Sequence, residues 1–170
     1  MSGTDRCAEV AHQLDDHDII INVQGDEPFI DPDPIEQMIR LFKEDMNVDI
    51  ATLYSYCSED EDVNNSNIVK VVTNVNDQAL YFSRSLIPSG GPADLYKKHI
   101  GVYGFWRDVL IKLSELQPTP LELSERLEQL RWLENGYKVF AINSSFTSIS
   151  IDTPSDLAHA HAHLETIRKH

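Results

Sequence analysis

Two apolar runs in this chain end on a carboxylate: IIINVQGD stops at Asp26 and SISID at Asp152. Open α/β sheets bind ligands beyond the carboxyl ends of their strands. Carboxylates placed there could hold Mg²⁺, which takes oxygen ligands and completes its shell with water and substrate phosphates. Asp26 reads equally as a turn residue after Gly25. Asp152 also suits a helix start in which Thr153 caps, Pro154 takes the first position and Asp156 sits at N3.

A second group lies in KKHIGVYGFWR, where period two places His99, Gly101 and Tyr103 on one strand face and Ile100 and Val102 on the other. Glycine between two hydrogen-bonding side chains leaves space that suits a polyhydroxylated ligand. The same pattern suits a half-buried strand with satisfied polar tips. In LELSERLEQLRWLEN, Glu125, Glu128, Gln129 and Trp132 recur at i, i+3, i+4 and i+7, beside an apolar stripe of Leu123, Leu127 and Leu130. That polar stripe fits a solvated face or a sugar-recognising one. His159 and His163 have the i, i+4 spacing of zinc ligands, but no third ligand accompanies them. Neither a G-x-G-x-x-G nor a G-x-x-x-x-G-K-[ST] phosphate loop occurs, the tripeptide SGT at residues 2–4 being the nearest substitute, and no serine or cysteine sits in a nucleophile elbow. The residues therefore point to a carboxylate-lined site and no covalent nucleophile.

The elements that must position these residues alternate. Residues 5–14 read as a helix capped by Thr4, and DIIINVQG as a strand, apolar on both faces and so central in a sheet. DPDPIEQMIRLFKED opens a helix with Asp33 as cap, Pro34 at N1 and Glu36 closing a capping box. VDIATLYSYC reads as a strand, SEDEDVNN as an acidic surface, and NIVKVVTN with ALYFSR as two strands joined across VNDQ. LIPSGGPADLY reads as a mobile connection and KKHIGVYGFWR as a strand. TPLE caps one continuous helix that Gly136 ends. YKVFAIN and SISI are strand-like, and a helix closes the chain. The pattern predicts an α/β fold with mixed strand pairing.

At 170 residues and 41% hydrophobic, the chain can bury one core, so a single domain is expected. Twenty-eight acidic against 14 basic residues give a net charge of -14, which disfavours non-specific binding to nucleic acid or anionic lipid. A metal ion can still bridge carboxylates to a phosphorylated substrate. Two cysteines without ligand spacing, an N-terminus unlike a signal peptide and no run of 18 apolar residues predict a reduced, soluble, cytoplasmic protein.

SGTDR, IINVQGDEPFI, NIVKVV, ALYFSRSLIP, HIGVYGF, LELSERLEQLRWLENG and IDTPSDL, in that order, resemble the 3-deoxy-manno-octulosonate cytidylyltransferases, or CMP-Kdo synthetases. The matching stretches run from residue 2 to about 157. The resemblance implies a Rossmann-like nucleotidyltransferase sheet flanked by helices, spanning 1–170 as one domain, with a hairpin-rich sugar-binding and dimerisation region at about 64–110. It implies that CTP and the eight-carbon acid sugar Kdo give CMP-Kdo and pyrophosphate with Mg²⁺, in a homodimer that serves lipopolysaccharide synthesis. The anomeric hydroxyl attacks the α-phosphorus directly, so catalysis rests on positioning and on metal stabilisation of phosphate charge.

By resemblance, Asp26 and Asp152 are the catalytic, metal-binding carboxylates and Gln24 is a sugar contact beside them. Arg84, His99, Tyr103, Glu128 and Gln129 form the sugar-binding set, Arg84 pairing with the sugar carboxylate through its guanidinium fork. Ser2, Gly3, Thr4 and Arg6 match the SGT-x-R stretch near the nucleotide. Ser150 stands where the family usually has glycine, which could crowd the metal site.

Family members also carry a loop of the form IPAR…S-R-L-P-G-K-P-L that holds the CTP phosphates, and it has no counterpart in these 170 residues. The chain is therefore expected to lack the N-terminal part of the fold, to bind CTP weakly, to turn over little and to expose a sheet edge prone to aggregation. The alternatives are a catalytically incompetent fragment of such an enzyme and a CMP-sugar synthetase acting on sialic acid, against which YFSR and H-x-G-x-Y argue.

Overall fold

A computed structural model describes residues 3–14, 18–25, 30–58 and 62–144, together with the helical residues 158, 160, 161 and 164. Asp26, Asp152, Ser2, Ser150, His159, His163 and the SISI segment lie outside the described residues, as does most of the closing helix. Before residue 145 the described residues form five α-helices, one short 3-10 helix (Ala93–Leu95) and six strands: α1 (Gly3–Ala11), β1 (Ile19–Asn22), α2 (Pro32–Glu44), β2 (Ile50–Tyr56), β3 (Lys70–Thr73), β4 (Ala79–Ser83), β5 (Lys97–Trp106), α3 (Arg107–Ser114), α4 (Pro120–Glu125), α5 (Gln129–Glu134) and β6 (Val139–Asn143).

The strands form one mixed sheet in the order β4-β3-β5-β2-β6, with β1 pairing β5 off this path. β5 runs antiparallel to β1, β2 and β3, while β2 and β6 are parallel. Two apolar layers follow from strand alternation. One face carries Tyr54, Phe82, Tyr103 and Phe105 with helical residues such as Ala8, Leu110 and Trp132; the other packs Ala51, Leu53, Ile100 and Val102 against Met38 and Phe42 of α2. Gly104 lets α2 approach: a Cβ there would lie 2.8 Å from Phe42 Cε2 and 3.2 Å from Met38 Cε.

β5 organises the site. β2 occupies one of its edges, so β1 and β3 must share the other. β3 pairs with Lys97 and Lys98, and β1 with residues 103–106. Between them, residues 100–102 have no strand partner on that edge among the described residues, and Gly101 lies in the split. β2 pairs Thr52 with Tyr103 but Leu53 with Ile100, so β5 bulges by the two residues Gly101 and Val102. An insertion of two residues preserves alternation. His99 and Tyr103 therefore stay on one face, their rings 5.4 Å apart.

Several local expectations are corrected. α1 begins at Gly3, so Thr4 lies inside its first turn and does not cap it; its hydroxyl bonds Glu128 instead. α2 starts one Asp-Pro pair earlier than expected, with Asp31 accepting from the Asp33 backbone N–H and Pro32 at N1. Both pairs satisfy the same start pattern, so pattern alone could not choose. β1 is half-buried and pairs only with β5 among the described residues, where a central strand was expected. The expected continuous helix is two helices, broken at Arg126, whose φ of 56° is left-handed. The break turns Leu123 to solvent although Leu127 and Leu130 are buried, so the expected apolar stripe does not form as one. TPLE does open α4, with Glu122 accepting from the Thr119 backbone, and Gly136 (φ 83°) follows α5.

Candidate functional site

The split beside β5 gathers side chains from four elements on one face. His99 and Tyr103 come from β5. His99 meets Phe82 of β4 edge-on at 5.1 Å, and Tyr103 meets Trp132 of α5 edge-on at 5.0 Å. Trp132 also stands edge-on to Phe105 at 5.5 Å, which fixes α5 against the sheet. Gln129 precedes Trp132 by three residues, so the two share a helix face. Leaving β1, the chain passes the split, and Gln24 Nε2 lies 3.6 Å from where a Cβ on Gly101 would stand. That glycine makes room for Gln24.

Three of the polar side chains on this face make no hydrogen bond among the described residues. Gln129 is 5% exposed and Tyr103 8% exposed, yet neither side chain makes a hydrogen bond among the described residues. Gln24, which is exposed, makes none either. The polar tips of these side chains are not sealed from solvent, the Thr119 hydroxyl being the one fully buried side-chain polar atom without a partner among the described residues, so they are open to a polar ligand that enters the split. Burial lowers the pKa of His99 from 6.5 to about 3, leaving the ring neutral. Burial and, after it, the Glu128 charge raise the Tyr103 pKa, leaving the phenol protonated. The face thus offers two amides, one phenol and one neutral imidazole.

Glu128 opens α5 and accepts from the Thr4 hydroxyl at 2.8 Å, bringing the start of α1 to the same place. Gly3 faces the end of β1, where a Cβ would lie 3.8 Å from Asn22 Nδ2. Arg6 is exposed on α1. Arg84 follows β4 and is held to α4: its backbone N–H donates to Glu125 Oε2 at 2.9 Å and its Nε to the Glu125 carbonyl at 3.1 Å. The Ser83 hydroxyl donates to Glu125 Oε1 at 2.7 Å, and Arg84 Nη1 to the Ser66 carbonyl at 3.2 Å. Two of the five guanidinium N–H groups are thereby used on backbone.

The structure thus brings Gln24, His99, Tyr103, Glu128 and Gln129 together with Gly3 and Thr4, and fixes Arg84 at the neighbouring strand end. Ser2, Asp26 and Asp152 lie outside the described residues. Among the described residues no group of three or more His, Cys, Asp or Glu is arranged to hold a metal, and no helix is long and apolar enough to cross a membrane.

A cytidylyltransferase family model matches residues 1–144. The chain belongs to the cytidylyltransferase family. Within that family it is similar to proteins named 3-deoxy-manno-octulosonate cytidylyltransferase. The one from Bacteroides thetaiotaomicron is 46% identical, the match covering 96% of this chain and 70% of the relative. The one from Fusobacterium nucleatum subsp. nucleatum is also 46% identical, covering 92% of this chain and 64% of the relative. Among solved structures, CMP:2-keto-3-deoxy-manno-octonic acid synthetase complexed with CTP superposes with a TM-score of 0.90 at 38% identity, covering 97% of this chain and 68% of that one. The 4-diphosphocytidyl-2C-methyl-D-erythritol synthase of Anaerococcus prevotii, at 15% identity and TM-score 0.56, shares the fold. The expected nucleotidyltransferase fold is therefore the observed one. The chain spans about two thirds of the length of the curated relatives it matches, 64% and 66% for two of them.

Two residues that build this site, Thr52 and Lys70, are not among the candidate residues that the sequence singles out. Thr52 is a polar residue within the buried strand IATLYSY, and that placement is its one local signal. Lys70 is fully buried, and its Nζ donates to the carbonyls of Asn65, Ile68 and Arg84, tying one loop and the end of β4 together. Burial lowers its pKa. Glu125 shares the predicted polar stripe with Glu128 and Gln129, but the break at Arg126 sends it to Ser83 and Arg84 instead.

Proposed function

We propose that the chain serves in a 3-deoxy-manno-octulosonate cytidylyltransferase, transferring a cytidylyl group from CTP to Kdo and releasing pyrophosphate. The observation that carries this reading is the cluster of polar groups around Gly101: Gln24, Tyr103 and Gln129, which make no hydrogen bonds among the described residues, beside a neutral His99. Neutral donors and acceptors on an aromatic floor match a ligand rich in hydroxyls. The printed names of the relatives, and CTP in the solved structure, support the two substrates.

In this reading Gln24, His99, Tyr103, Glu128 and Gln129 hold the sugar, while the remaining N–H groups of Arg84 pair with its carboxylate. Ser2, Gly3, Thr4 and Arg6 border the nucleotide. The sugar's anomeric oxygen bonds the α-phosphorus as the α–β bridging P–O bond breaks, and the hydroxyl proton passes to water or to a pyrophosphate oxygen. No side chain becomes covalently attached. Asp26 and Asp152 are the hard oxygen donors that Mg²⁺ takes, and they would hold it; the ion would supply positive charge against the phosphates. What the described residues do is orient the attacking hydroxyl. The reading includes one domain over 1–170, a homodimer using the hairpin region at about 64–110, and a cytoplasmic role in supplying lipopolysaccharide synthesis.

Calorimetric titration with Kdo tests the site, and pyrophosphate release with CTP, Kdo and Mg²⁺ tests the reaction. Kdo is expected to bind, with N-acetylneuraminate binding more weakly. Gln129→Ala is expected to lose about tenfold in affinity, one hydrogen-bonding group's worth. Kdo binding that Gln129→Ala leaves unchanged would refute the site. Kdo binding without pyrophosphate release would assign the chain a binding role only.

A further inference from the structure

The Thr52 side chain is fully buried opposite the bulge in β5, and its hydroxyl contacts three atoms. They are the Val102 carbonyl at 2.8 Å, the Ile100 carbonyl at 3.3 Å and His99 Nε2 at 2.9 Å. A hydroxyl has one hydrogen and two lone pairs, and a carbonyl can only accept. The hydrogen therefore goes to the bulge carbonyls, Val102 being the nearer. The histidine contact is then a bond only if the ring brings the hydrogen, on Nε2. The alternative, with Thr52 donating to His99, would leave two carbonyls in the buried bulge without this donor.

We infer that Thr52 is a positioning residue that fixes His99 as the Nε2–H tautomer, so that Nδ1 is a bare acceptor selecting a ligand hydroxyl over an anionic oxygen. Phe82 and Tyr103 hold the ring on both sides, at 5.1 and 5.4 Å, so it cannot easily turn to exchange its nitrogens. Nδ1 makes no hydrogen bond among the described residues. A carboxylate or phosphate oxygen placed against a bare nitrogen finds no proton to accept. The His99 position therefore takes a sugar hydroxyl as donor, and the sugar's carboxylate must lie elsewhere. The selectivity rests on the sugar-site reading proposed above, whereas the tautomer does not.

The test uses nitrogen NMR of the ¹⁵N-histidine-labelled chain, in which His99→Gln identifies one of the seven histidine signals. The expected spectrum shows His99 with a pyrrole-type Nε2 and a pyridine-type Nδ1. Thr52→Ser keeps the hydroxyl and is expected to keep that pattern. Thr52→Val is expected to shift the tautomer ratio toward Nδ1–H by about fivefold, the factor carried by one net hydrogen bond. A wild-type spectrum with Nδ1–H overturns the inference, even if the valine variant does not fold. Kdo is then titrated into the wild-type chain, and hydroxyl donation is expected to move Nδ1 upfield while Nε2 stays fixed. Kdo that binds with Nδ1 unmoved overturns the selectivity. No Kdo binding at all, with the tautomer as expected, overturns the sugar-site reading and the selectivity with it, leaving the tautomer assignment of Thr52 upheld.

Discussion

Replacing Glu122 by glutamine should destabilise the fold by about 2–3 kcal/mol, from one fewer charge-assisted bond in a poorly hydrated pair. Arg131 Nε donates to Glu122 Oε2 at 2.7 Å and its Nη2 to Oε1 at 2.6 Å, with both side chains only 13% exposed. The pair spans the break at Arg126 and so locks α4 to α5, the helix that presents Gln129 and Trp132 to the site. Glutamine retains one acceptor but turns an N–H₂ toward a guanidinium N–H, losing one fork bond and adding a repulsive contact. Removing one partner from a fully dry pair costs roughly 3–5 kcal/mol. Residual exposure, and the bond that Arg131 keeps to the Leu116 carbonyl, reduce that figure.

Chemical denaturation at pH 7 reads the change as a shift of midpoint at constant slope. Combining Glu122→Gln with Arg131→Met gives the coupling energy. Acid adds a second signature. The Arg131 bond, and behind it the Thr119 backbone N–H, hold the Glu122 pKa below its ordinary 4.5. The stabilisation is thus complete above about pH 4.5 and lost as pH falls through the lower folded value. The wild-type chain should lose stability there more steeply than Glu122→Gln. A variant within about 0.5 kcal/mol of wild type, the usual range for a surface change, would refute the reasoning. A coupling energy near zero would do the same.

Gly104→Ala should cost about 1–3 kcal/mol by pushing Phe42 and Met38 off β5, read by thermal denaturation. Gly101→Ala should fold normally, since its Cβ meets only Gln24 at 3.6 Å, yet weaken Kdo binding roughly tenfold in calorimetry by filling the split. Trp132→Ala should cost about 3–5 kcal/mol, because Tyr103 and Phe105 both pack on that ring, and quenching of near-ultraviolet dichroism should accompany the loss. Glu125→Gln should lower Kdo affinity more than Ser83→Ala does, because only the former alters the backbone anchor of Arg84; equal effects would contradict that anchor.

The strands were legible because their signals are local. Alternation in KKHIGVYGFWR placed His99 and Tyr103 on one face, and that held because the bulge inserts two residues rather than one. The hairpin of β3 and β4 and the capping box at Thr119 were legible for the same reason. Helix boundaries were less so: consecutive Asp-Pro pairs offered equivalent starts, and no local feature announced a left-handed Arg126. A non-glycine residue there costs about 1–2 kcal/mol. It persists beside distant contacts, Glu125 held by β4 and Trp132 seated on β5.

By itself, then, the sequence determined which residues could do chemistry and which segments would carry them, since side-chain type and periodicity are properties of the chain alone. Only the tertiary structure decided which of those groups stay open. Thr4 looked like a cap and is bound to Glu128, 124 positions away; Glu125 looked like part of the sugar face and is spent on Ser83 and Arg84. Gln129 and Tyr103 have largely buried side chains, yet their polar tips make no hydrogen bond among the described residues and are not sealed from solvent. Satisfaction of a polar group depends on what the fold brings within 3 Å of it, and contacts between distant segments have no local signature in the chain.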